Sequence, residues 1–415
     1  MGMFSKIQSN CRAEVGGAPF MHAIHLPEAR TPFHMGRISS ALRMLLFVNL
    51  AFCAATGHRA RLNADDNRVI ETFTIGGHGS AIFLPVQIGD GEYSFLLDTG
   101  STTNVVDKSL RSALKATGRK ETLNGKDSVA TYRIADATVG HSRLPLEGLA
   151  LCIDLTGFRS ILGIELHGVI GMEFLREYVV QIDFDTRRAS FLQNGDDSTG
   201  RRIPMPINSQ GCPTVEVQLP GIGDVPFVID SGLVGFRNGN LSTSLFDRLV
   251  DNNQLNVFEK GARTKTIHGI GKHRAGVLSS QVLAAFRHER QIFAEGDWNA
   301  LSLSFLSRFT VTFDFPNQTL FLTKGNCFDE PFPPNPSGIQ FDVVAGEYIV
   351  RGVDERGWAH KCGIRPGDRL LEIGGRETRR TTSYDVGSWL YSSSHELKLR
   401  VQSPSDSPRD VQLAQ

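Results

Sequence analysis

The sequence predicts a mainly β protein made of two similar halves, followed by a smaller α+β unit. Three observations carry that expectation. From Ile70 to Lys324, short runs rich in β-branched and aromatic residues alternate with Gly and Asp turns. One order of motifs occurs twice in that stretch, at a nearly constant offset. A proline-rich run, Pro331-Phe332-Pro333-Pro334-Asn335-Pro336, then sets off the C-terminal unit, because such a run forms an extended spacer and not a core.

The first half, residues 70–195, contains Ile82-Phe83-Leu84-Pro85-Val86-Gln87-Ile88, Tyr93-Ser94-Phe95-Leu96-Leu97 and Val179-Val180-Gln181-Ile182-Asp183-Phe184. The second, residues 204–325, repeats the order as Thr214-Val215-Glu216-Val217-Gln218-Leu219, Pro226-Phe227-Val228-Ile229 and Thr310-Val311-Thr312-Phe313-Asp314-Phe315. Leu96-Leu97-Asp98-Thr99-Gly100 overlies Val228-Ile229-Asp230-Ser231-Gly232 at an offset of 132 residues, and Phe174-Leu175 overlies Phe305-Leu306 at 131. Two motifs recurring in one order at one spacing indicate duplication.

Composition narrows the function classes. At 415 residues the chain suits two to three domains. Lys plus Arg equals Asp plus Glu at 44 each, so no basic field exists to hold nucleic acid. Hydrophobic residues at 40% and charged residues at 21% are globular proportions, and 42 Gly with 26 Phe fit a fold of turns and strands. The six Cys lack C-x-x-C or Cys/His spacing, so no metal site and no cofactor is expected. Small thiols or disulfides both fit their scatter.

Residues 1–60 read as an N-terminal extension. Arg37 and Arg43 precede the apolar run from Met44 to Ala55, which has signal-peptide length and is too short to span a bilayer. The expectation is an exported chain, periplasmic or extracellular, touching membrane only through this segment if it stays uncleaved. The natural start would then be Met21 or Met35, and N-terminal sequencing of secreted material tests it. A buried helix is the alternative.

The motifs resemble the aspartic peptidases, in particular the retropepsin-like type with both lobes in one chain, over residues 70–325. The resemblance implies bilobal, pepsin-like β-barrel lobes, with Asp98 and Asp230 as the catalytic pair. A lone Asp-[Ser/Thr]-Gly is a common turn. Here an apolar strand leads into it, a second copy exists, and Gly168-Val169-Ile170-Gly171 matches the family's apolar-apolar-Gly segment. In the second half Asn299-Ala300-Leu301-Ser302 stands in that place, so backbone packing beneath Asp230 is expected to be looser or differently arranged.

Peptide hydrolysis needs an activated water and an acid for the leaving amine, and two facing carboxylates sharing one proton supply both. By resemblance, Gly100 and Gly232 let backbone N–H groups approach the carboxylates, while Thr99 and Ser231 cross-link the two loops. Ser101 is expected to add a hydroxyl beside Asp98, whereas its counterpart Leu233 adds none, so Asp98 should carry the charge and Asp230 the proton. Tyr132, in the turn-containing run from Leu123, is a candidate cover for the scissile bond or an ordinary strand residue. The corresponding region of the second half is residues 264–275, with a Gly269-Ile270-Gly271 tip. His268 and His273 there lack a third ligand, and Gly76-Gly77-His78-Gly79 reads as a turn.

Residues 336–412 carry the strand Tyr348-Ile349-Val350-Arg351-Gly352-Val353, then Gly363-Ile364-Arg365-Pro366-Gly367-Asp368, an apolar strand and Gly374-Gly375. This pattern resembles a PDZ domain. The resemblance implies that a peptide adds as a strand to a sheet edge, with its terminal carboxylate held by the loop of Ser337, Gly338, Ile339, Gln340 and Phe341. Together these readings describe a monomeric aspartic endopeptidase acting on polypeptides, with a PDZ domain that recruits peptide C-termini or regulates the lobes. The rival is a peptide-binding or scaffold protein that keeps the fold without turnover. A serine hydrolase using Ser101 or Ser231 is unsupported, because no Gly-x-Ser-x-Gly elbow is present.

Overall fold

The first half folds as a series of short strands. These are β1 (Val69–Thr74), β2 (Phe83–Ile88), β3 (Gly91–Leu97), β4 (Asn104–Asp107), β5 (Leu114–Leu123), β6 (Asp127–Ile134), β7 (Ala137–Val139), β8 (Leu144–Pro145) and β9 (Ala150–Ile153). Helix α1 (Thr156–Leu162), β10 (Gly168–Ile170), helix α2 (Met172–Leu175), β11 (Val179–Asp183) and β12 (Arg188–Leu192) complete it. This is a computed structural model, and it describes residues 69–123, 127–134, 136–141, 144–162, 165–195, 199–235, 237–266, 269–330, 337–355, 357–379, 381–391 and 396–414. The export segment, the tip Asn124-Gly125-Lys126, His268 and the proline-rich linker lie outside those residues.

Period-2 burial explains the strands. In β2, Leu84, Val86 and Ile88 are buried while Phe83, Pro85 and Gln87 are half-buried, so one face feeds the core. Each such side chain contributes about 1.5–3 kcal/mol through burial. Ile88 pairs with Gly91, leaving Gly89-Asp90 as a two-residue hairpin turn, and Gly89 takes the φ of 57° that this turn demands.

The second half repeats the plan with β13 (Arg201–Pro204), β14 (Thr214–Leu219), β15 (Gly223–Asp230), β16 (Gly239–Ser242) and helix α3 (Thr243–Asp251). The chain continues through β17 (Leu255–Thr266), β18 (Gly269–Leu283), β19 (Phe286–Gly296), β20 (Ala300–Ser302), helix α4 (Leu303–Leu306), β21 (Phe309–Asp314) and β22 (Thr319–Lys324). Each half owns one curled sheet. In the first its order is β5-β6-β9-β4-β10-β3-β2-β7-β8, and in the second it is β14-β15-β20-β16-β19-β18-β17 with β14 also pairing β18.

A six-stranded sheet, β1-β12-β11-β21-β22-β13, joins the halves. Its middle is the antiparallel pair β11–β21, where Gln181 stands opposite Thr312 and its side-chain amide donates to the Thr312 hydroxyl at 3.1 Å. The strand order is the same read from either edge, so the local pseudo-twofold axis runs between these two strands. Phe184, Phe191, Phe309, Phe313 and their neighbours fill one hydrophobic core shared by both lobes.

The C-terminal unit contains β23 (Ile339–Val344), β24 (Glu347–Val353), helix α5 (Trp358–Lys361), β25 (Arg369–Ile373), β26 (Arg376–Glu377), helix α6 (Ser383–Tyr391), β27 (Glu396–Gln402) and β28 (Arg409–Ala414). Its sheet runs β23-β24-β25-β27-β28, with β26 on β25, so β23 is an edge. Helix α5 ends in Cys362 followed by Gly363 at φ 70°, the left-handed stop its sequence predicts. Tyr348, Val350, Trp358, Leu370 and Val401 lie in a core separate from that of the lobes. The fold is mainly β throughout, two half-barrel lobes and a small α+β domain.

Among the described residues Cys152, Cys212, Cys327 and Cys362 are free thiols, with Cys212 buried and the others half-buried. No helix among the described residues is long and apolar enough to cross a membrane.

Candidate active site

The duplicated loops meet on the pseudo-twofold axis. Strand β3 delivers Asp98 and β15 ends in Asp230 because every residue from Phe95 to Asp98 and from Phe227 to Asp230 is buried. Beyond each aspartate the loops lock reciprocally. Thr99 Oγ1 donates to the carbonyl of Ile229 at 2.7 Å and accepts from the Ser231 N–H at 3.0 Å. Ser231 Oγ donates to the carbonyl of Leu97 at 3.0 Å and accepts from the Thr99 N–H at 3.0 Å. Four buried hydrogen bonds thus fix one loop against the other.

Gly100 and Gly232 sit where a side chain would strike the opposite aspartate. A Cβ on Gly100 would fall 2.5 Å from Asp230 Cγ, and one on Gly232 would fall 2.2 Å from Asp98 Cγ. Each glycine therefore packs its backbone on the partner lobe's carboxyl. The Gly100 N–H donates to Asp98 Oδ1 at 2.8 Å. Asp98 Oδ2 and Asp230 Oδ1 have no hydrogen-bond partner among the described residues.

Burial dominates the electrostatics, since Asp98 is 0% and Asp230 1% exposed. Burial, and then the charge of Asp230, hold Asp98 well above the ordinary carboxylate range. Burial also raises Asp230, to about 6, opposed by the Asp98 side chain and by the backbone amides of Leu233 and Gly232. The two carboxyls titrate as one coupled unit. Ser101 Oγ donates to the carbonyl of Thr103 at 2.9 Å and not to Asp98, so the hydroxyl meant to favour a charged Asp98 is engaged elsewhere.

Of the two arrangements expected beneath Asp230, looser or different, the structure shows the different one. In the first lobe β10 runs parallel to β3, placing Val169 beside Leu96 and Ile170 beside Leu97. In the second, β20 runs parallel to β15 and places Leu301 beside Ile229 and Ser302 beside Asp230. Close approach is preserved by a glycine on a different strand, because a Cβ on Gly239 would lie 1.9 Å from the Ala300 carbonyl oxygen. Ser302 fits where Gly171 is needed in the first lobe, its hydroxyl donating to the Arg237 carbonyl at 2.5 Å.

Two buried asparagines escaped the sequence reading. Asn104 Oδ1 accepts from the Gly171 N–H at 3.0 Å, just beyond the strand that runs beside β3, and Asn238 Oδ1 accepts from the Ile292 N–H of β19 at 2.9 Å. Their signal was available, since one Asn follows each Asp-[Ser/Thr]-Gly within eight residues.

Tyr132 is buried on β6 with the Arg111 guanidinium 5.0 Å above its ring, so it sits as a residue of the sheet and not of a loop tip. Gly269-Ile270-Gly271, expected as a flexible tip, begins strand β18 and pairs with β17, where Thr264 stands opposite Gly271. His78, from the predicted glycine turn, binds across the lobes, its Nδ1 2.9 Å from the Ser307 carbonyl and its Nε2 3.2 Å from Asp185. No group of three His, Cys, Asp or Glu among the described residues is placed to hold a metal ion.

In the C-terminal unit Ser337 and Ile339 are buried, and the Ile339 N–H donates to Ser337 Oγ at 3.1 Å. Gly338 adopts φ 72° and its carbonyl accepts from the Asp354 N–H at 2.9 Å. The Gln340 side chain meets Arg351 at 3.3 Å. The Phe341 ring packs edge-on against Tyr348 at 5.3 Å and also lines a cavity beside the second lobe.

Residues 84–174 match the family described as "Aspartyl protease", and residues 349–402 match the family described as "PDZ domain". The chain therefore carries an aspartyl protease domain and a C-terminal PDZ domain. The first match runs from β2 to α2 and includes Asp98, whereas Asp230 lies beyond it. No curated protein matches the chain. Among solved structures, it is similar to the photosystem II D1 C-terminal processing protease at 21% identity and a TM-score of 0.18, over 19% of this chain and 22% of that one.

Proposed function

We propose that this chain, an aspartyl protease domain joined to a PDZ domain, is an aspartic endopeptidase whose catalytic residues are Asp98 and Asp230. The observation carrying the proposal is the reciprocal Thr99–Ser231 lock, which holds two buried carboxyls face to face from opposite lobes. Such preorganisation is what differential stabilisation of a transition state requires.

In the reaction, Asp230 is the base and Asp98 the acid. A water bound between the free oxygens, Asp98 Oδ2 and Asp230 Oδ1, gives a proton to Asp230 as its oxygen attacks the scissile carbonyl carbon. Asp98 passes its proton to the carbonyl oxygen, leaving a neutral gem-diol. Collapse then breaks the C–N bond, with Asp230 protonating the amine and a diol hydroxyl returning a proton to Asp98. Thr99, Ser231, Gly100 and Gly232 position the pair without reacting. Both aspartates come from one chain, so a monomer suffices, and export to a periplasmic or extracellular space accords with the N-terminal apolar run.

Strand β23 is the terminal strand of the PDZ sheet, the place where a polypeptide C-terminus would add as a further strand. The complete burial of both carboxyls favours one rival, a peptide-binding protein without turnover. Incubating the purified chain with a peptide library from pH 3 to 8, beside Asp98→Asn and Asp230→Asn, separates the two. Cleavage by the native chain and none by either variant supports the enzyme, and intact peptides throughout refute it.

A further inference from the structure

A cavity of about 240 Å³ lies between the second lobe and the PDZ unit. Leu233, Val234 and Gly235, the residues that directly follow Asp230-Ser231-Gly232, form one wall, and among the described residues Phe341 of β23 is the PDZ residue that lines it. Arg237, Asn240 and Ser302 give it polar groups. Strand β23 also packs against helix α1 of the first lobe, so this PDZ strand touches both lobes.

Position and size identify an occupant. The Leu233 N–H donates to the main-chain carbonyl of Asp230 at 3.2 Å, so the cavity wall begins one turn beyond the catalytic aspartate of the second lobe. An extended peptide advances about 3.3 Å per residue, and a side chain entering here therefore belongs to a residue within a few positions of the scissile bond. The volume is below the roughly 300–1,000 Å³ of a small-molecule pocket and suits one large side chain. Leu233, Val234 and Phe341 supply apolar surface to receive it.

We propose that this cavity is a substrate subsite for a large apolar side chain, completed by Phe341 from the PDZ domain, so that the PDZ unit takes part in selecting the cleavage site. The inference rests on the peptidase reading. It gives Phe341 a second role beside the carboxylate loop, as a specificity-determining wall of the cleft.

The test is cleavage-site profiling of full-length native protein, Phe341→Ala and Phe341→Leu, with Ser405→Ala as a control in the exposed connection between β27 and β28. At one substrate position, Phe341→Ala should lower kcat/KM for peptides bearing Leu or Phe by roughly tenfold or more. Peptides with Ala there should change less than about twofold on the same scale. Phe341→Leu should recover most of the preference and Ser405→Ala should keep it. A uniform loss across all peptides, or an unaltered profile, overturns the proposal.

Native protein that cleaves nothing refutes the peptidase reading alone. Fluorescence anisotropy with the same labelled peptides then decides the subsite. Selective weakening of Leu- and Phe-bearing peptides by Phe341→Ala supports it, and equal weakening, no change or no binding by the native chain overturns it.

Discussion

Replacing Asp230 by Asn should stabilise the folded protein near neutral pH and leave it little changed near pH 4. Folding raises the Asp230 pKa from 3.8 to about 6, chiefly through burial. A carboxyl that holds its proton more tightly when folded lends stability that is complete below the unfolded pKa and lost as pH rises through the folded one. About two pH units at 1.36 kcal/mol each make that loss on the order of 3 kcal/mol between pH 4 and 6. Asn keeps the shape of the protonated acid and cannot ionise, and it also relieves Asp98 of a charged neighbour. Both effects act in one direction. For lobes of this size the variant-minus-native difference in Tm should grow by roughly 6–12 °C from pH 4 to pH 7. Scanning calorimetry of both proteins across that range reads it, and the difference cancels unrelated titrations. A flat difference, or a variant that loses stability as pH rises, would refute a dyad whose charge is suppressed by burial.

In the same titration window, kcat/KM should show an acid limb near pH 6 as Asp230 becomes the ionised base, and a limb near pH 3 measured on the native enzyme would contradict the assignment. Thr99→Val leaves the Ile229 carbonyl and Ser231 N–H without their buried partner and should cost about 2–4 kcal/mol, read by urea unfolding. Gly239→Ala forces a Cβ towards the Ala300 carbonyl and should cost about 1–3 kcal/mol, lowering Tm and activity together, whereas Gly89→Asn, at an exposed turn, should cost little.

Much of the site was legible because duplication writes itself into spacing. The 132-residue offset that aligns Asp98 with Asp230 is the same separation bridged by the hydrogen bonds between Thr99 and Ser231. The strand plan followed from period-2 burial, which is local, and Gly363 announced the end of α5 for the same reason. The Ser101 hydroxyl was legible as a donor but not in its target, because the Thr103 carbonyl two residues away competes for it at 2.9 Å.

By itself, then, the sequence determined which residues are paired by symmetry and which stretches bury one face, since both are properties of order along the chain. That both carboxyls are lifted out of the ordinary range was decided only in three dimensions, where burial acts through space. Tertiary structure likewise let Gly239 on one strand make room for Ala300 on another, and brought Phe341 beside Leu233 although 108 residues separate them. Close packing depends on distances between atoms, and the spacing of letters does not contain them.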